Sequence, residues 1–170
     1  MLNFMKSIVI SEVDGCLTNG KFFYTIDGKI MKEFGIGDNE GIQLLKENEI
    51  EVKFISSDKI GFEINRKRIL DMNCEIEFIP KKDILDFLIK TSEQFKQIYF
   101  LGNSLGDVLA VKHFNMLFKN KIIFITPLNG RQECKEYAEY ITENKGGEGA
   151  FLDMSEWIVE NYVEYPVPLY

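Results

Sequence analysis

Histidine, cysteine and proline are all scarce in this chain of 170 residues, which has one, three and four of them. Cys16, Cys74 and Cys134 are scattered without a C-x-x-C pair, and His113 stands alone. Neither a zinc centre nor a disulfide framework is therefore expected; three buried thiols are. No run of about 18 apolar residues occurs and the N-terminus lacks a signal-peptide pattern. The expectation is a cytoplasmic protein without a membrane partner. Positive charge is also short, with 20 Lys and Arg against 27 Asp and Glu. A net charge of −7 argues against nucleic acid as a partner.

What the chain has is apolar bulk and well-placed punctuation. Hydrophobic residues make up 45% of it and aromatic ones 13%, enough for one domain over residues 1–170 with a sizeable core. Ile8 to Ile10 reads as a buried strand that empties into Glu12, Asp14, Gly15, Thr18 and Asn19-Gly20. Lys21–Ile26 and Lys29–Phe34 flank Asp27-Gly28, a strong hairpin signal. Ile42, Leu44, Leu45 and Ile50 mark a short amphipathic helix, and Glu51–Ile55 a second core strand ending in Ser56-Ser57-Asp58. A helix over Phe62–Leu70, a strand over Cys74–Ile79 and a helix around Ile84–Phe95 follow. Gln97–Leu101 is a strand running into Gly102-Asn103-Ser104-Leu105-Gly106-Asp107. A helix over Val108–Phe114, a strand over Ile122–Ile125, and helices over Arg131–Tyr140 and Phe151–Tyr162 complete the pattern. Pro166 and Pro168 make the tail extended. Strands alternating with helices of about ten residues imply an α/β fold: a Rossmann-like, doubly wound parallel sheet in three layers, with a hairpin flap after strand one.

The stretch Asp14-Gly15-Cys16-Leu17-Thr18-Asn19-Gly20 resembles the haloacid dehalogenase-like superfamily, in particular the phosphatases acting on 3-deoxy-D-manno-octulosonate 8-phosphate. It also resembles the phosphatase-like C-terminal domain of sialic acid cytidylyltransferases. The likeness spans nearly the whole chain and implies the same three-layer fold. It further implies phosphoryl transfer to a carboxylate, with Mg²⁺ neutralising the phosphoryl oxygens.

Carried over residue by residue, the likeness is incomplete. Glu12 stands where the family has its Asp nucleophile, one methylene longer. A displacement of about 1 Å can cost some 10²-fold in rate, so a cation-binding or loop-bonding carboxylate is the first reading and an atypical nucleophile the second. Asp14 matches the acid/base position, and alternatively caps the turn. Ser56 matches the phosphate-holding hydroxyl. Ser57-Asp58 follows in place of the family's Gly-Arg, which puts negative charge where an anionic substrate would approach. The family's lysine aligns with Ile84, so Lys81 or Lys82 would have to reach in from one turn earlier. The family's metal motif, Gly-Asp-Asp-x-x-Asp, keeps Gly102 and Asp107 but has Asn103 and Ser104 for its middle carboxylates.

The implied site is thus Glu12 and Asp14 for catalysis, Ser56, Ser57 and Lys82 for phosphate, and Glu12, Asp14, Asn103 and Asp107 for a weakly held Mg²⁺. The combined losses point to a degenerate sugar-acid phosphatase-like protein serving as an oligomerisation, regulatory or ligand-binding module. The alternative is an active Mg²⁺-dependent phosphatase. The Gly146-Gly147-Glu148-Gly149-Ala150 signature is kept, with Leu152 for the family's following Arg. The hairpin from Phe22 to Phe34 corresponds to one that builds a tetramer in the family. The implied partners are three more copies of this chain, a sugar-acid phosphate and a cytidylyltransferase.

Overall fold

Strand β1 (Ser7–Glu12) is apolar on both faces, as a strand between two helical layers must be. The structure, a computed structural model, describes residues 6–119 and 121–168. Around β1 the chain forms β4 (Ile50–Ser56), β5 (Glu75–Phe78), β6 (Gln97–Leu101), β7 (Ile123–Thr126) and β8 (Tyr140–Ile141). These six strands are parallel, in the order β5-β4-β1-β6-β7-β8. The chain winds outward in both directions from β1, so the switch point, where open α/β sheets bind ligands, lies at the end of that strand.

Helices α1 (Asp38–Glu47) and α6 (Ala150–Tyr162) cover one face, and α3 (Ile84–Ser92) and α4 (Leu105–Leu117) the other. Alternate residues of β1 feed the two cores. Val9 joins Leu45, Phe54, Phe151 and Ile158, whereas Ile8 and Ile10 join Ile84, Leu88, Phe100 and Phe114. Truncating a side chain such as Phe100 or Phe54 would cost about 3–5 kcal/mol. Helices α2 (Phe62–Asp71) and α5 (Gln132–Tyr137) complete the helical set. Among the described residues no helix is long and apolar enough to cross a membrane, and all three cysteines are buried and unpaired.

Among the described residues, strands β2 (Thr18–Thr25) and β3 (Gly28–Phe34) pair only with each other, as a separate antiparallel hairpin. The Thr25–Gly28 pair closes it, so the turn residues are Ile26 and Asp27, one place earlier than Asp27-Gly28. Other boundaries move as well: α4 begins at Leu105, where Ser104 caps it, rather than at Val108, and α3 ends at Ser92 rather than Phe95. Ile50 opens β4 instead of lining α1. The helix expected to reach Tyr140 stops at Tyr137, because Glu139 and Thr142 donate backbone N–H groups to Phe124 and Thr126 and begin a short edge strand. At the tail, the Asn48 amide exchanges two hydrogen bonds with the backbone of Val167, at 2.8 and 2.9 Å.

Candidate active site

The loop leaving β1 is wound around one carbonyl. The N–H groups of Cys16, Leu17 and Thr18 all point at the Val13 oxygen. Gly15 sits at φ 82°, and a Cβ there would stand 1.9 Å from the Asn103 side-chain nitrogen, so the loop needs glycine for both its conformation and its contact. Asn129 donates to the Gly15 carbonyl and accepts from the Gly146 N–H, tying the Gly146-Gly147 loop onto this turn.

On the sheet side, Glu12 is buried at 2% exposure and Lys81 donates to its Oε1 at 2.5 Å. The same ammonium donates to Asp107 Oδ1 at 2.7 Å. Lys81 begins the 3₁₀ turn Lys81–Asp83 that leads into α3. Burial lifts the Glu12 carboxyl to about 8, the Asp107 charge adds to that, and Lys81 opposes it. Burial would lower Lys81, but Glu12 and Asp107 together hold it above its ordinary value. The other oxygen of Asp107 accepts from the N–H groups of Asn103 and Ser104 and from the Ser104 hydroxyl. Ser104 in turn caps α4 in a capping box.

On the hairpin side, Asp14 Oδ2 accepts from the Ser56 hydroxyl and the Asn65 amide, both at 2.9 Å. Its Oδ1 accepts from Lys32 at 2.5 Å. Lys32, only 1% exposed, also pairs with Asp58 at 2.7 Å and donates to Asn65 Oδ1. Lys29 donates to the same Asp58 oxygen. Burial raises Asp58, but the Lys29 and Lys32 hydrogen bonds, with the Gly61 N–H, outweigh it and hold the carboxyl well below the ordinary range.

The structure brings most of the expected site residues to one end of the sheet. Glu12, Asp14, Ser56 and Asn103 lie at the carboxyl ends of β1, β4 and β6 or in the loops leaving them, and Asp107 in the first turn of α4. Lys82 is exposed and, among the described residues, makes no ion pair; its neighbour Lys81 supplies the ammonium. The 3₁₀ turn explains this, since it directs position 81 inward and 82 outward. Asp107 uses both oxygens inside the protein, Oδ1 as a clamp on Lys81 and Oδ2 as a cap. Ser57 makes no side-chain hydrogen bond among the described residues. Asp58 does not stand as a bare negative charge, because Lys29 and Lys32 neutralise it.

Lys29, Lys32, Asn65 and Asn129 were not among the expected site residues. The lysines are three apart on a strand, which in a regular strand puts them on opposite faces. A bulge changes that: Phe23 pairs with Met31 and Tyr24 with Lys29, leaving Ile30 extra and both lysines on one face.

Among the described residues no group of three or more Asp, Glu, His and Cys side chains is arranged to hold a metal ion. The oxygens left for a cation are the Glu12 carboxylate, already bound to Lys81, the Asp14 carbonyl and the Asn103 amide. That set fits a hard divalent ion poorly.

No protein-family profile matches the sequence. Against the 3-deoxy-D-manno-octulosonate 8-phosphate phosphatase of Haemophilus influenzae it is 27% identical over 156 residues, 89% of this chain and 82% of that one. Against N-acylneuraminate cytidylyltransferase B of Danio rerio it is 26% identical over 162 residues, 89% of this chain but 36% of the cytidylyltransferase. The fold superimposes, with a TM-score of 0.76 and 25% identity, on the cobalt-bound deoxy-D-mannose-octulosonate 8-phosphate phosphatase of Haemophilus influenzae, covering 91% of this chain and 88% of that one. In sequence and in fold, then, the chain is similar to the octulosonate 8-phosphate phosphatases of the haloacid dehalogenase-like superfamily, and in sequence also to sialic acid cytidylyltransferases.

Proposed function

We propose that this is a sugar-acid phosphatase-like protein with weak or absent hydrolase activity, working as an oligomerisation, regulatory or ligand-binding module in octulosonate or sialic acid metabolism. One observation carries the reading: Glu12, in the nucleophile's place, is buried with Lys81 on one of its oxygens. A nucleophile must project its oxygen at phosphorus along the line of displacement. The longer Glu12 side chain is instead engaged by Lys81.

A Mg²⁺-supplemented assay against an aryl phosphate and a panel of sugar phosphates is expected to give little turnover. Robust hydrolysis of any of them overturns the reading. Glu12→Asp alone is expected not to restore turnover, since Asn103 and Ser104 still stand for the lost carboxylates and such residues act as a unit. Mg²⁺ is expected to bind weakly, and calorimetry giving micromolar affinity would contradict this. The second reading, an active Mg²⁺-dependent phosphatase on a sugar-acid phosphate such as the octulosonate 8-phosphate, is favoured by Lys81. Its contacts with Glu12 and Asp107 supply the cation that the sequence alone leaves without a clear position.

Assembly is the second part of the proposal. Phe22, Phe23, Tyr24, Ile30 and Met31 are about half exposed on the hairpin, and Ile26 is fully so. An isolated hairpin of this kind is marginal in water, and closed symmetry is the common state of soluble homo-oligomers. The expectation is a homotetramer built through these hairpins, with a cytidylyltransferase as a further partner. Light scattering should give the tetramer mass for the unmodified chain and a smaller one for Phe22→Asp with Tyr24→Asp. A monomer mass for the unmodified chain at micromolar concentration would refute it.

A further inference from the structure

Lys29 and Lys32 converge on a single oxygen of Asp58. Lys32 has an acceptor for each of its three N–H groups: Asp14, Asp58 and Asn65. Lys29 has Asp58 and the face of Phe22, whose centroid lies 4.0 Å from its nitrogen, and so keeps donors to spare. Asp58 lies on the loop between β4 and α2, its second oxygen held by the Gly61 N–H. Counted with Asp14, which shares Lys32, the two lysines and Asp58 carry no net charge, so an incoming oxyanion gains the lysines only by taking the place of a carboxylate, whose shape it matches.

We propose that Lys29 and Lys32 form an oxyanion-binding subsite beside the Asp14–Ser56 pair. Asp58 is its resident competitor, which the carboxylate or phosphoryl group of a ligand displaces. The inference deepens the reading of the site as a ligand-binding module and rests on it. It also gives Asp58 a definite task. The lysines supply the positive charge, and Asp58 sets how strongly an anion must compete for it.

Calorimetric titration of the full chain at constant pH and ionic strength, with inorganic phosphate and separately with gluconate, tests this. Asp58→Asn is expected to tighten at least one of the two by about tenfold or more. Adding Lys29→Met should remove the gain. Asp27→Asn, which takes the same charge off the exposed turn, should change binding by less than about twofold. A gain with phosphate alone identifies a phosphoryl subsite, and one with gluconate alone a carboxylate subsite. No gain with either, a gain that survives loss of Lys29, or an equal gain from Asp27→Asn overturns the proposal. Should Asp58→Asn fail to fold, Lys29→Met alone decides: weakening by about fivefold is expected, and unchanged binding refutes it. Strong turnover by the unmodified protein would sink the hydrolase-poor reading and leave this binding comparison standing. Unresponsive titrations would do the reverse.

Discussion

On the sheet side of the Asp14 loop one lysine serves two carboxylates sealed from water, Glu12 and Asp107, at 2% and 0% side-chain exposure. On the hairpin side two lysines serve two carboxylates that still meet solvent, Asp14 and Asp58, at 30% and 18%. The difference lies in what remains when a partner leaves. A buried carboxylate stripped of its cation has no water to turn to, whereas a partly exposed one does. The sheet half is therefore built to hold one arrangement. The hairpin half is built so that partners can be exchanged.

The largest expected effect falls on the sheet half. Asp107→Ala removes the acceptor of two loop N–H groups and the Ser104 hydroxyl, breaks the α4 capping box and takes one partner from Lys81. A loss of about 3 kcal/mol or more in urea denaturation at pH 7 is expected. A loss under about 1 kcal/mol would break the comparison.

Lys81→Met should cost less, about 2–3 kcal/mol, because its side chain is more than a third exposed and part of its charge is screened. What it leaves is two facing buried carboxyl groups, of which Glu12, lifted to about 8 even beside Lys81, holds a proton that the unfolded chain has released. Glu12→Gln in the same background should therefore recover a good part of the loss. If the double variant is no more stable than Lys81→Met, keeping Glu12 protonated is not the source of the cost.

On the hairpin half, Lys32→Met leaves Asp58 with Lys29, and Asp14 with Ser56 and Asn65. A cost of about 1–2 kcal/mol is expected by the same measurement. Should Lys32→Met prove more damaging than Asp107→Ala, the exchangeable half is the rigid one and the ordering of the site is reversed.

The same division explains what could be read in advance. Glu12, Asp14, Ser56 and Asn103 stand at or just past the ends of apolar strand runs and Asp107 in the first turn of the following helix; the two-residue and 3.6-residue periods locate the sheet, and the resemblance to the phosphatase motifs points to these positions. Strand pairing then brings them together without further information. Lys81 was harder, because a single 3₁₀ turn decides whether position 81 or 82 points inward. The hairpin half depends on a bulge at Ile30, which changes the facing of Lys29 relative to Lys32 and leaves no mark in hydrophobic alternation. Asn65 was invisible for a related reason: on a helix a lone Asn carries no pattern, and only the packing of α2 against the end of β4 gives it Asp14, Ser56 and Lys32 as neighbours. The misplaced end of α5 shows the same limit, since tertiary hydrogen bonds to β7 turned an apparent last helical turn into a strand.

The smallest expected effect comes from a third buried carboxylate, which measures how near a cation must come to compensate one. Asp38, in the first turn of α1, is 3% exposed; among the described residues its Oδ2 makes no hydrogen bond, and Arg68 comes only to 3.7 Å. Burial lifts its carboxyl to about 7, with Arg68 opposing too weakly to cancel the rise. The unfolded carboxyl ionises near pH 4. Between about 4 and 7 the folded chain thus keeps a proton that the unfolded chain has released, and stability from this group falls as pH rises through that window. Asn cannot ionise, so Asp38→Asn should be more stable than the unmodified chain by about 1 kcal/mol at pH 8. The advantage should shrink below pH 7 and be gone near pH 4, read from urea midpoints across the range. An advantage that grows on acidification would mean that Arg68 at 3.7 Å already compensates the charge. The short Lys81 and Lys32 contacts would then no longer set the two halves of the site apart from an ordinary buried ion pair.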